Sequence, residues 1–171
     1  MSTMRGLYAP TGPGTALPAT SSRCTVWYMR YETSTTTAAD PARLWAVVSD
    51  VEKWPEWIEV YEEVRRTGSG ELALGDTAHV KQKGLAAGDW TVTQLEEGRV
   101  FAWESRQPGV RIIGRHVVAE EPAGGSRLTL ELEMTGWASG PVGVLMGRKS
   151  RAYVDLECAR LTAVAAESTT A

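Results

Sequence analysis

Gly140-Pro141-Val142-Gly143-Val144-Leu145-Met146-Gly147-Arg148-Lys149-Ser150-Arg151-Ala152-Tyr153-Val154-Asp155-Leu156-Glu157-Cys158-Ala159-Arg160-Leu161-Thr162-Ala163-Val164-Ala165-Ala166-Glu167 contains no proline after Pro141. Gly140 can cap a helix there, and Pro141 suits the first helical position, where its missing N–H costs nothing and its φ is already helical. At about 1.5 Å per residue such a helix crosses a small domain. Helical periodicity puts Leu145, Ala152, Leu156, Ala159 and Ala163 on one apolar face with Met146 and Tyr153 beside them, and places Arg148, Arg151, Asp155 and Glu157 mostly elsewhere. That face needs a partner. The segments before it alternate like strands, so the expected partner is a sheet.

Leu128, Leu130, Leu132 and Met134 alternate with Arg127, Thr129, Glu131 and Glu133, as in an antiparallel strand with one wet face and one face on a core. Upstream, Ile112, Gly114, His116 and Val118 oppose Arg111, Ile113, Arg115 and Val117, and Phe101, Trp103 and Ser105 share one face of 100–106. Trp90, Val92 and Gln94 alternate with Thr91 and Thr93. In 77–83, His79, Lys81 and Lys83 share the face expected to meet solvent. Val60 to Arg66 forms a further strand, and the turns are Gly68-Ser69-Gly70, 84–88, Gln107-Pro108-Gly109 and Pro122-Ala123-Gly124-Gly125. Nearer the N-terminus, the threonines of Tyr31 to Thr37 favour a strand. Asp40-Pro41 then opens a short helix with the stripe Leu44, Trp45, Val47, Val48 and Val51, which Trp54-Pro55-Glu56-Trp57 is expected to end.

Composition narrows the function classes. The 171 residues suit one domain, and a formal net charge of -3 gives no electrostatic case for nucleic acid or an anionic membrane. Two cysteines, Cys24 and Cys158, make no disulfide framework, and a reducing cytoplasm is the expected location. Neither a secretory signal nor a membrane-spanning run is visible. Residues 1–28, rich in Gly, Pro, Ser and Thr, read as a flexible extension, and 29–168 as the folded domain. Trp27 and Tyr28 are the aromatic pair that could still dock on it.

Strand, helix, a meander of strands and one long helix make an α+β architecture, a curved antiparallel β-sheet wrapped around the C-terminal helix. The domain resembles the START-like superfamily of helix-grip proteins, in particular its bacterial polyketide cyclase/dehydrase and lipid-transport branch. The resemblance is carried by Asp40-Pro41-Ala42-Arg43-Leu44-Trp45-Ala46-Val47-Val48-Ser49-Asp50, by Trp54-Pro55-Glu56-Trp57, by Trp90-Thr91-Val92 followed by Phe101-Ala102-Trp103, and by Gly125-Ser126-Arg127-Leu128-Thr129-Leu130. It implies a hydrophobic cavity between the sheet and the last helix, used by different members to cyclise polyketides, carry lipids or quinones, or sequester small molecules. Arg43 stands where the family often has a carboxylate, which removes a capping-box partner. The superfamily has no universal catalytic motif, so site residues must come from the inward faces.

Those faces give Trp90, Val92, Phe101, Trp103, Ile112, His116, Leu130, Leu132, Met134, Leu145, Met146, Tyr153 and Leu156. The polar members are His116, suited to proton transfer near neutral pH, and Tyr153, able to donate to a carbonyl or phenolic oxygen. Trp90 and Trp103 could stack on a planar ligand, and Gly143 and Gly147 thin the helix surface for a ligand or for close packing. The two histidines and two cysteines show no zinc-ligand spacing, and no nucleotide-binding or hydrolase motif occurs, so any chemistry is expected to need neither metal nor cofactor. No inward carboxylate pair is expected. Two functions remain: a cofactor-free cyclase or dehydratase acting on a polyketide-like chain, and a non-catalytic carrier or self-resistance protein for a lipid, quinone or other hydrophobic metabolite.

Overall fold

The computed structural model describes residues 27–167, and for Trp27 and residues 139–146 the backbone alone. The expected extension therefore falls almost wholly outside the described residues. In chain order the elements are β1 (Trp27–Thr37), α1 (Pro41–Ser49), a 3-10 turn (Val51–Lys53), α2 (Trp54–Trp57), β2 (Tyr61–Arg66), β3 (Thr77–Gln82), β4 (Gly88–Glu96), β5 (Val100–Gln107), β6 (Val110–Glu120), β7 (Ser126–Gly136) and α3 (Ser139–Glu167). The seven strands form one sheet in the order β1-β7-β6-β5-β4-β3-β2, every neighbouring pair antiparallel. The sheet curls into a half-barrel around α3. Among the described residues no helix is long and apolar enough to cross a membrane.

The first helix begins as its sequence dictates. Asp40 Oδ1 accepts a hydrogen bond from the Arg43 backbone N–H at 2.9 Å, satisfying one of the orphan donors of the first turn, and Pro41 follows at the start. Leu44, Val47 and Val48 are buried. The Trp54-Pro55-Glu56-Trp57 run does not end α1. The helix already stops at Ser49, and the run makes its own turn of helix with Pro55 in the first turn, where no N–H is required. That turn drives Trp54 and Ile58 wholly into the core.

Three further differences have local causes. β1 starts at Trp27, not Tyr31, because its ladder with β7 runs to Trp27 opposite Gly136. Trp27 and Tyr28 thus belong to the sheet. In β4 the register shifts between Val92 and Gln94, so that Leu95 pairs with Phe101 on the concave side. A bulge moves later side chains to the opposite face, and Gln94 accordingly turns out of the concave set. In α3 the buried side is rotated from the expected one. It carries Ser150, Glu157, Cys158, Leu161, Thr162 and Ala165, while Ala152 and Ala159 are exposed. Alanine marks helix propensity rather than burial, and the three polar members of the true face hid it from the hydrophobic pattern. Cys158, Leu161 and Ala165 are 0 % exposed, which makes that side the seam against the sheet.

On the convex face, Glu104 lies outward as expected but is not solvated. Its side chain is only 9 % exposed beneath Arg106 and Arg111, with Arg111 Nε at 2.9 Å and Arg106 Nε at 2.6 Å. The hydrogen bond from Arg111, aided by Arg106, holds its carboxyl below the usual carboxylate range.

Candidate functional site

Between the concave face and α3 lies a cavity of about 330 Å³. That is at the small end of the range of roughly 300–1,000 Å³ typical of ligand sites. Alternation within the strands supplies its walls: Trp90, Trp103 and Ile112 on one side, Leu130, Leu132 and Met134 on the other. α3 closes it with Ser150, Tyr153, Val154 and Glu157, and the β3–β4 connection contributes Leu85 and Ala86 at the rim.

The polar centre brings together residues far apart in sequence. His116, 3 % exposed on β6, has Nε2 at 2.8 Å from Glu157 Oε1, and Glu157 on α3 is itself 6 % exposed. The other carboxylate oxygen, Oε2, accepts the Tyr61 hydroxyl at 2.7 Å. Gln82 stands directly opposite Tyr61 across the β2–β3 ladder and lines the same cavity. Burial, then the charge and hydrogen bond of Glu157, push the Tyr61 phenol well above its ordinary range, so it stays a donor. Each oxygen of Glu157 thus takes a hydrogen bond, which is how a carboxylate is tolerated away from water.

The histidine is held as firmly. Its ring stacks on Phe101 with centroids 4.1 Å apart and planes 9° apart, and Trp54 packs at 5.3 Å. Nδ1 is buried with no hydrogen-bond partner among the described residues. This assigns the proton to Nε2, donating to the carboxylate, because an orphaned N–H would cost more than a bare lone pair facing apolar groups.

Above this centre stand the indoles. Trp90 and Trp103 lie 5.2 Å apart at 43°. Trp103 can reach across β6 because the residue there is Gly114: a Cβ at that position would meet Trp103 Nε1 at 2.7 Å and Cδ1 at 3.1 Å. At the rim, Tyr153 donates its hydroxyl to the Lys83 carbonyl at 2.7 Å, and Lys149 Nζ donates to the Gly84 carbonyl at 3.2 Å. Both bonds tie α3 to the β3–β4 connection.

Of the residues singled out from sequence, Trp90, Trp103, Ile112, His116, Leu130, Leu132, Met134 and Tyr153 line the cavity. Val92 and Phe101 are buried but do not line it, and Leu156 packs half-buried against the core. The side chains of Leu145 and Met146 lie outside the described residues. Glu157, expected off the packed face, is the largest correction, and it adds a carboxylate to the inward set. The signal that could have found it is its spacing, four residues before Leu161 and adjacent to Cys158. Tyr61 was missed because a start-of-strand tyrosine carries no pattern of its own, and Gln82, which alternation puts with Ala78 and Val80 opposite His79, Lys81 and Lys83, was left out of the candidate set although it lines the cavity. His79, expected toward solvent, is partly exposed there and pairs with Asp89 at 2.8 Å. Among the described residues no group of three His, Cys, Asp or Glu side chains converges as a metal site.

This architecture is shared with solved structures of low sequence identity. The Zhui aromatase/cyclase from a Streptomyces species superposes with a TM-score of 0.70 at 18% identity, covering 85% of this chain and 98% of that one. The di-domain ARO/CYC StfQ from the steffimycin biosynthetic pathway gives 0.68 at 12%, covering 84% of this chain and 52% of that one. A norcoclaurine synthase point mutant from Thalictrum gives 0.63 at 12%, covering 85% and 99%. These likenesses establish the fold. No curated protein matches the sequence. Residues 28–166 match the family described as polyketide cyclase / dehydrase and lipid transport, and the chain belongs to that family.

Proposed function

We propose that the protein is a cyclase or dehydratase acting without a cofactor on a polyketide-like chain, with His116 and Glu157 moving the proton. The observation that supports it is the buried His116–Glu157–Tyr61 set opening on a cavity whose surface is mainly apolar. Pure storage of a hydrophobic molecule has no need of a carboxylate there, whose burial has to be offset by two donors.

The reaction is redox-neutral. The carboxylate removes a proton from a methylene flanked by carbonyls, and the electron pair of that C–H bond forms a C–C bond to a second carbonyl carbon. The carbonyl oxygen, now an alkoxide, takes a proton from the His116–Glu157 pair. Loss of a further α-proton to the pair and of hydroxide, protonated as it leaves, then releases one water. The apolar walls hold the reacting carbons together, a contribution that can amount to several kcal/mol, and the Tyr61 hydroxyl, released from Glu157 once that carboxyl has taken the proton, turns its one O–H toward the developing negative oxygen.

The test is incubation of purified protein with a metabolite extract of source cells lacking it, followed by chromatography with mass detection. A protein-dependent peak that is isomeric or lighter by water is expected. Glu157→Gln keeps the shape and offers hydrogen bonds to both Tyr61 and His116 while removing the base, and should lower product formation by about 100-fold or more with ligand retention preserved. A compound recovered bound and unchanged, equally by both proteins, would refute catalysis in favour of a carrier.

A further inference from the structure

Gly114 is the only residue between Ile112 and His116 on the inward side of β6, and it lines the cavity without contributing a side chain. The space a Cβ would fill is taken by the Trp103 indole. That indole is not free to retreat. Trp103 is 4 % exposed and is packed by Trp54 at 5.3 Å, Phe101 at 5.7 Å and Trp90 at 5.2 Å. Trp54 and Phe101 are themselves 0 % exposed, so the core side is closed. The direction left open is toward Trp90 and the cavity. Any side chain at position 114 would therefore be converted into a displacement of the aromatic wall.

We infer that Gly114, acting through Trp103, is the specificity-determining residue of the cavity, and that it gauges a flat phenolic aromatic of bicyclic or tricyclic width lying with its oxygen toward Tyr61, Glu157 and His116. The size follows from a cavity of about 330 Å³. Its length follows from the strand: Ile112 at the outer part and His116 at the floor are four residues apart, or roughly 13 Å at the rise of an extended chain. The polarity follows from the buried cluster of Tyr61, Glu157 and His116, set in a lining whose surface is mainly apolar, with Gln107, Arg115, Glu131, Ser150 and Tyr153 as its other polar members besides Gln82. The inference rests on the cavity being a ligand site, as proposed above, but not on any reaction taking place there.

The test uses phenols of graded width as probes: β-naphthol, a hydroxyanthracene and hydroxypyrene, titrated against the full chain by calorimetry. The wild type should bind the first two and bind hydroxypyrene at least about tenfold more weakly, the scale by which a hydrophobic pocket discriminates small differences in size. Gly114→Ala should lose about tenfold for the hydroxyanthracene while keeping β-naphthol within about threefold. Trp103→Phe moves the limit the other way and should gain hydroxypyrene, which decides the matter if Gly114→Ala does not fold. Equal affinities for all probes in the wild type and in a folded variant would overturn the gauge while leaving a ligand site. Failure of every probe to bind the wild type would overturn the ligand-site reading and the gauge with it.

Discussion

Glu104 shows how much of this protein's polar chemistry is structural. It is a buried carboxylate on the convex side, far from any cavity chemistry, held by Arg106 and Arg111. Because its folded carboxyl titrates below the unfolded value, it contributes stability that is complete above the unfolded pKa of about 4.3 and is lost as pH falls through the folded value. Glu104→Gln should therefore flatten the fall of stability between about pH 5 and pH 3, and cost about 1 kcal/mol at neutral pH. The figure is modest because the Arg106 and Arg111 side chains are 74 % and 46 % exposed and re-enter water once the carboxylate is gone. Urea titrations across that pH range check both statements; a parallel displacement of the two curves would contradict the assignment. Glu157 differs in having no guanidinium partner among the described residues and in facing a cavity. The same residue type thus serves as a fastener on one face of the sheet and as a candidate base on the other.

Among the elements, the start and the buried stripe of α1 were legible, though not its end: Asp40-Pro41 is a cap and first turn by residue chemistry alone, and Leu44, Val47 and Val48 are buried as their period demands. Asp40→Ala should lower stability by about 1 kcal/mol, measured as a shift in the urea midpoint at constant slope. The inward faces of β5, β6 and β7 were legible for the same reason, since a period of two leaves little choice once one side is apolar. Two elements were not. The β4 bulge depends on how β4 and β5 pair, which no single segment encodes. The packed side of α3 carries Glu157 and Thr162 because those polar groups meet partners, Tyr61 on β2 and His116 on β6 for Glu157 and, for Thr162, the carbonyl of Cys158 within its own helix. Tyr153 is the related lesson. Its place on the cavity wall was readable, whereas the bond from its hydroxyl to the Lys83 carbonyl was not. Losing that half-exposed bond in Tyr153→Phe is worth about 1 kcal/mol, so dissociation of bound β-naphthol should quicken by about fivefold in stopped flow. An unchanged rate would mean that the β3–β4 connection does not limit exit.

For the whole molecule, the sheet order makes β1 and β2 the two edges and buries β6 and β5 in the middle. The β1–β7 pairing joins residues as distant as Tyr28 and Glu133, whose side chains meet at 3.2 Å. Native-state hydrogen exchange should accordingly show β5, β6 and β7 as the slowest unit and residues 84–87, between β3 and β4, among the fastest. Equal protection in both regions would show that the rim opens only with global unfolding.

The two donors to Glu157 come from opposite parts of that sheet: Tyr61 from the edge strand β2, and His116 from β6, four strands along. Seen from the sheet, the carboxylate is a chord drawn across an arc, and its length fixes the radius of the arc. A ligand oxygen that takes over either donor lets go of one end of that chord. Binding at this carboxylate would then be felt first at the edge strand β2, through Tyr61.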